Sequence, residues 1–93
     1  MKKAIITGST GFIGSAFVEF LVAKGIDVLA IGRKDLNDIS KIRRKRIKDA
    51  TYLNLDMKNI SQLSEKISEI KWSIGDDCVF LILHGGVKLI FLI

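Results

Sequence analysis

The sequence predicts an α/β fold, a doubly wound parallel sheet of about four strands covered on both faces by three helices. Three observations carry that prediction. Short apolar runs alternate with segments of helical periodicity. No proline, repeat or low-complexity linker interrupts the alternation. Glycines at 8, 11 and 14 stand where the first apolar run gives way to the first helical pattern.

Taken in order, Lys3 to Thr7 reads as a buried strand bounded by Gly8. From Phe12 a helix is expected, its apolar face carrying Ile13, Ala16, Phe17, Phe20 and Leu21. Lys24 falls in its last turn, and Gly25 can take the left-handed conformation that ends it. Asp27 to Ile31 is a second strand, closed by Gly32. A second helix, weakly amphipathic, is expected from about Asp38 to Lys48. Thr51 to Leu55 reads as a third strand ending at Asp56. Asn59 and Gln62 have the spacing of a capping box, ahead of an apolar stripe at Ile60, Leu63, Ile67 and Ile70. Cys78 to Leu83 is a fourth strand.

Composition fits one small globular domain: 93 residues, 48% hydrophobic and 27% charged. Cys78 is the single cysteine, so no internal disulfide forms, and a reducing, cytoplasmic setting is expected. Within its apolar run it reads as a small buried hydrophobe. Lys2 and Lys3 are followed too soon by Thr and Gly for a signal-peptide core. The closing CVFLILHGGVKLIFLI holds His84, Lys88 and two glycines in sixteen residues. That is short of the roughly 20 apolar residues of a spanning helix. A soluble chain with an apolar tail is expected.

The net charge of +5 is concentrated. Arg33, Lys34, Lys41, Arg43, Arg44, Lys45, Arg46 and Lys48 face only Asp35 and Asp38 in that stretch. Such a patch suits an anionic cofactor, a nucleic acid or simply the solvated face of a helix. No aromatic residue is interleaved with it, which argues against single-strand binding by stacking.

Glycines at a strand-to-helix turn have a chemical purpose. Gly8 permits the tight turn, and Gly11 lets a backbone approach a pyrophosphate. Gly14 allows the helix to pack closely, and the helix N-terminus turns its free N–H groups toward phosphate. No Gly-Lys-Ser/Thr follows, so a phosphate loop of the nucleotide-hydrolysing type is excluded.

Thr7-Gly8-Ser9-Thr10-Gly11-Phe12-Ile13-Gly14 resembles the TGxxGxxG loop of extended short-chain dehydrogenases/reductases. That group includes the NAD(P)-dependent epimerases and dehydratases of sugar nucleotides. The resemblance runs through about the first 80 residues, including Gly25-Ile26-Asp27-Val28 and Asn54-Leu55-Asp56-Met57. It implies a Rossmann-like three-layer sheet and cofactor contacts from residues 8 to 14. It also implies that Asp56 meets the adenine ring, helped by the backbone of Met57. Read from the residues alone, a lone Asp after a strand is more often a turn or helix-start residue, and the place of Asp56 after the third strand is what favours the cofactor contact.

NAD-preferring members end the second strand with an acid that holds both ribose hydroxyls. Here that place is Gly32, followed by Arg33 and Lys34. Arg33 offers a planar fork to a 2′-phosphate and Lys34 a point charge, so NADP is favoured over NAD.

Catalysis in the resembled family needs a Tyr-x-x-x-Lys pair and a nearby Ser or Thr. The only tyrosine, Tyr52, has Asp56 four residues on, and His84 has no acid–base or metal-ligating partners nearby in sequence. No catalytic residue is therefore assigned, and none is assigned to a metal. The expected organisation is a nucleotide-binding half over 1–83 and an apolar tail over 84–93. After the fourth strand the family usually reads His-Leu-Ala, with Ala-Trp or Ala-Ala next, whereas this chain reads Ile82-Leu83-His84-Gly85-Gly86. One set of codons, ATT-TTG-CAT-GGN-GGN, read from the third base gives Phe-Ala-Trp, so a frameshifted or truncated ending is one account of the departure, and other codon choices break it.

The leading expectation is thus the NAD(P)-binding portion of a sugar-nucleotide oxidoreductase, epimerase or dehydratase, whose substrate is met only by a longer parent. The alternatives are a non-catalytic dinucleotide or interaction module and a nucleic-acid binder using the basic helix. The module would associate through its sheet edge or apolar tail.

Overall fold

The computed structural model describes residues 2–75 and 77–81. Four strands form one parallel sheet: β1 (Lys3–Ile6), β2 (Asp27–Gly32), β3 (Thr51–Asn54) and β4 (Cys78–Leu81). Their spatial order is β3-β2-β1-β4. Ile5 pairs with Leu29 on one side and Phe80 on the other, and Ile31 pairs with Leu53. The chain steps outward twice, from β1 to β2 to β3, then returns to the far side of β1. Right-handed crossovers therefore put the first two helices on one face and the third on the other.

Alternation along the strands explains why they read as unbroken apolar runs. Ala4, Ile6, Val28 and Ala30 pack with Val18, Leu21, Ile39 and Ile47 on one face. Ile5, Leu29, Ile31 and Leu53 pack with Leu63, Ile67 and Trp72 on the other. Each buried Val, Leu or Ile among these contributes about 2 kcal/mol. Cys78 lies in the second cluster as the small hydrophobe expected, and burial raises its thiol pKa.

Helix α1 spans Phe12–Ala23, but its buried face differs from the one expected. Gly14, Ser15, Val18 and Leu21 face inward, while Ile13 and Phe20 are exposed. The helix is apolar nearly all round, so periodicity alone does not choose its face. Gly14 chooses it: a Cβ there would stand 2.0 Å from the Gly8 carbonyl oxygen, so only glycine can meet the loop. At the far end Lys24 is the C-cap just past the last turn expected to hold it, and Gly25 ends the helix as expected. Gly25 takes φ +82°, and Gly25 N and Ile26 N donate to Val22 O at 2.9 Å and Leu21 O at 3.1 Å.

Helix α2 covers Lys41–Ile47, shorter than the Asp38–Lys48 expected. Leu36–Asp38 is instead a 3₁₀ turn, and Ile39 becomes extended to reach the core. Ser40 then caps the helix, accepting from Arg43 N at 3.4 Å. The third strand ends one residue earlier than expected, at Asn54.

The capping box at Asn59 and Gln62 does not form. Met57–Gln62 is a 3₁₀ run with a kink at Asn59, and Gln62 precedes α3 (Leu63–Glu69) without a side-chain cap bond. Asp56 is the cap, accepting from Lys58 N at 3.1 Å, because it immediately precedes the run and reaches an N–H of its first turn. Leu63 and Ile67 of the expected stripe are buried and Ile60 half-buried, while Ile70 lies outside at 39% exposure. Among the described residues no helix is long and apolar enough to cross a membrane. The tail at 84–93, His84 and the departing stretch from Ile82 lie outside the described residues.

Candidate functional site

Because every strand runs the same way, the segments following β1, β2 and β3 gather at one edge of the sheet. That edge carries the glycine loop, Arg33 and Lys34, and Asp56 and Met57. The reversal between β1 and β4 also opens there, the place where sheets of this kind form a binding crevice.

The loop is built from backbone. Gly8 takes φ +66°, which glycine adopts without steric cost. Ser9 is fully buried, its hydroxyl donating to Ile6 O at 2.7 Å and its N–H to Ile31 O at 3.0 Å. The hydroxyl ties the loop to β1 and the N–H ties it to β2, and the buried side chain is turned away from solvent. Gly11 precedes α1, whose first backbone bond runs from Ser15 N to Gly11 O at 2.9 Å. The N–H groups ahead of that bond have no intrahelical acceptor, and no acid in the first turn offsets the positive end of the helix. Phe12 and Ile13 are exposed there, at 65% and 53%.

Two arginines that the sequence reading left unassigned reach this loop. Arg43 Nη1 donates to Thr10 O at 3.5 Å. Arg46 Nη1 donates to Phe12 O at 3.3 Å and Ser15 Oγ at 3.4 Å, with its guanidinium 5.1 Å from the Phe12 ring centroid. The basic run pointed to a charged helix face. Which of its members turn toward the loop depends on how α2 packs on α1, a non-local matter.

Arg33 and Lys34 are exposed beyond the end of β2. Their backbone is held from β3 and just past it: Leu55 N donates to Gly32 O at 2.8 Å. Oriented by its partners, the Asn54 amide nitrogen lies 3.2 Å from both Gly32 O and Arg33 O. The Tyr52 hydroxyl donates to Lys34 O. Asp56 is half-buried with Oδ1 engaged by Lys58 N, and Met57 is half-buried beside it.

The architecture defines a Rossmann-like α/β unit with a glycine loop at the sheet's carboxyl edge. The model of the GDP-mannose 4,6 dehydratase family matches residues 5–74. Benzil reductase ((S)-benzoin forming) of Bacillus cereus is 27% identical over 79 residues, covering 85% of this chain and 32% of that protein. In the crystal structure of the Cj0485 dehydrogenase the same fold recurs, with TM-score 0.58 and 22% identity over 74% of this chain and 26% of that one. The chain thus spans about a third or less of the length of these relatives. It belongs to the GDP-mannose 4,6 dehydratase family, among the extended short-chain dehydrogenases/reductases. Membership implies a nicotinamide dinucleotide as cofactor.

Proposed function

We propose that this unit binds NADP in preference to NAD and serves as the cofactor-holding part of a sugar-nucleotide oxidoreductase, epimerase or dehydratase. The observation that carries the reading is the end of β2, where Gly32 stands in place of an acid and exposed Arg33 and Lys34 follow. A carboxylate there would repel a 2′-phosphate, whereas a guanidinium pairs with it bidentately.

The residues present fit a dinucleotide. At position 11 a Cβ would meet only the Gly8 carbonyl, at an ordinary 3.5 Å, so the protein itself leaves room for a side chain. Glycine there instead suits a pyrophosphate approaching from outside, met by the free N–H groups at the start of α1. Thr10, Phe12, Ile13 and Gly14 take part through their backbone, and Ser9 by holding the loop's shape. Asp56 Oδ1 already accepts from the chain, so its second oxygen is the one to meet the adenine amino group, beside the Met57 backbone. Arg43 and Arg46 add positive potential over the loop.

When bound, the nicotinamide supplies hydride chemistry. The chain's own residues bind and orient it. A cytoplasmic setting fits the lone, buried Cys78.

The test is a pair of titrations of the full chain with NADP⁺ and NAD⁺ at two salt concentrations. NADP⁺ is expected to bind about tenfold more tightly, the worth of one charge-assisted contact. Equal affinities overturn the preference, and binding of neither overturns the function.

A further inference from the structure

Three successive carbonyls, of Gly32, Arg33 and Lys34, are held by Leu55 N just past β3 and, from β3 itself, by the Asn54 amide and the Tyr52 hydroxyl. The two basic side chains are thereby left exposed on a fixed backbone. Gly32 is buried, and its need for glycine is steric. A Cβ there would lie 2.5 Å from Thr10 Cγ2, 2.6 Å from Tyr52 Oη and 3.2 Å from Tyr52 Cε1.

We propose that Tyr52 is the positioning residue that sets dinucleotide preference. With the Thr10 methyl it fills the space in which a side chain at position 32 would stand. Through the Lys34 carbonyl it also holds the backbone from which Arg33 and Lys34 project. The proposal rests on the dinucleotide reading above. It explains why an acid at position 32 alone does not bring NAD recognition: it has no room while Thr10 and Tyr52 stand as they do. Burial pushes the Tyr52 hydroxyl up to about 12, with the Asp35 carboxylate adding to the shift, so it remains a neutral donor in ordinary buffers.

The experiment compares the full wild-type chain with Tyr52→Phe, Gly32→Asp, and Gly32→Asp combined with Thr10→Ser and Tyr52→Val. Each is titrated with NADP⁺ and NAD⁺ and melted thermally. Tyr52→Phe is expected to weaken NADP⁺ about fivefold, the loss of one hydrogen bond, while NAD⁺ affinity stays the same. A merely structural role would weaken both alike. Gly32→Asp is expected to lower the melting temperature and weaken both cofactors. The two relieving substitutions are expected to restore the melt and bring NAD⁺ level with NADP⁺.

An NADP⁺ preference unmoved by Tyr52→Phe overturns this proposal alone, as does a Gly32→Asp chain that melts like wild type. A wild-type chain that binds neither dinucleotide overturns the functional reading and this proposal together.

Discussion

The two ends of the parallel sheet are built by different rules. At the carboxyl end, a glycine loop, a bare helix N-terminus and exposed Arg33 and Lys34 present donors and positive charge outward. At the amino end, side chains answer one another. Trp72 Nε1 donates to Asp27 Oδ1 at 3.2 Å, and Lys3 Nζ lies 3.4 Å from Asp27 Oδ2 and 4.8 Å from the Trp72 ring centroid. Lys3 also donates to Ser73 O, tying the start of β1 to the segment that leads into β4. An end whose polar groups pair internally holds the fold together. An end that turns backbone donors and cations outward has the chemistry to meet an anion.

The strongest way to break that contrast is at its hinge. Gly14→Ala drives a methyl into the Gly8 carbonyl. It is expected to cost about 3 kcal/mol and to abolish dinucleotide binding, read by thermal melting and titration. Arg33→Ala comes next and touches the receiving end alone. NADP⁺ is expected to weaken about tenfold while NAD⁺ binding and the melt stay put. Trp72→Phe is its counterpart at the closed end. It should lose about 1 kcal/mol in a denaturant titration and leave the ratio of the two cofactor affinities untouched.

Smaller still is a stabilising change. Lys71 takes φ +59° at the end of α3, with Lys71 N and Trp72 N donating to Ser68 O and Ile67 O as the Gly25 turn does after α1. Lys71→Gly removes the Cβ penalty and is expected to add about 1 kcal/mol or less to the stability measured by the same titration.

The smallest effect near neutrality is alkaline. Tyr52 is raised from 10.0 to about 12, so the folded chain keeps a proton that the unfolded chain gives up. Stability from this group is whole below pH 10 and is lost as the pH rises toward 12. A denaturant midpoint that does not fall across that window would refute the assignment.

Much of the receiving end was legible in the sequence, for a physical reason. Strands buried on both faces leave continuous apolar runs, and a loop that must bend at Gly8 and pack at Gly14 leaves glycines at fixed spacing. What stayed hidden depended on partners distant in sequence. The rotation of α1 followed from Gly14 meeting Gly8, not from its many apolar residues, so Ile13 and Phe20 ended outside. Asp56 took the capping role from Asn59 because it lies nearer the strand end, while Asn59 itself sits at φ −107°, ψ 20°. Arg43 and Arg46 were visible as charge, but their reach to Thr10 and Phe12 needed the packed helix pair.

The sheet order has a kinetic consequence. β1 finds β2 through one helix, and β2 finds β3 through the next, so three strands assemble from near neighbours in sequence. β4 must return to pair Lys3 with Cys78, closing the longest loop in the described chain. Loop-closure entropy makes that pairing the slowest to reward the chain and the first to be surrendered. Amide exchange along Cys78–Leu81 is therefore expected to be faster than along the β1–β2 seam.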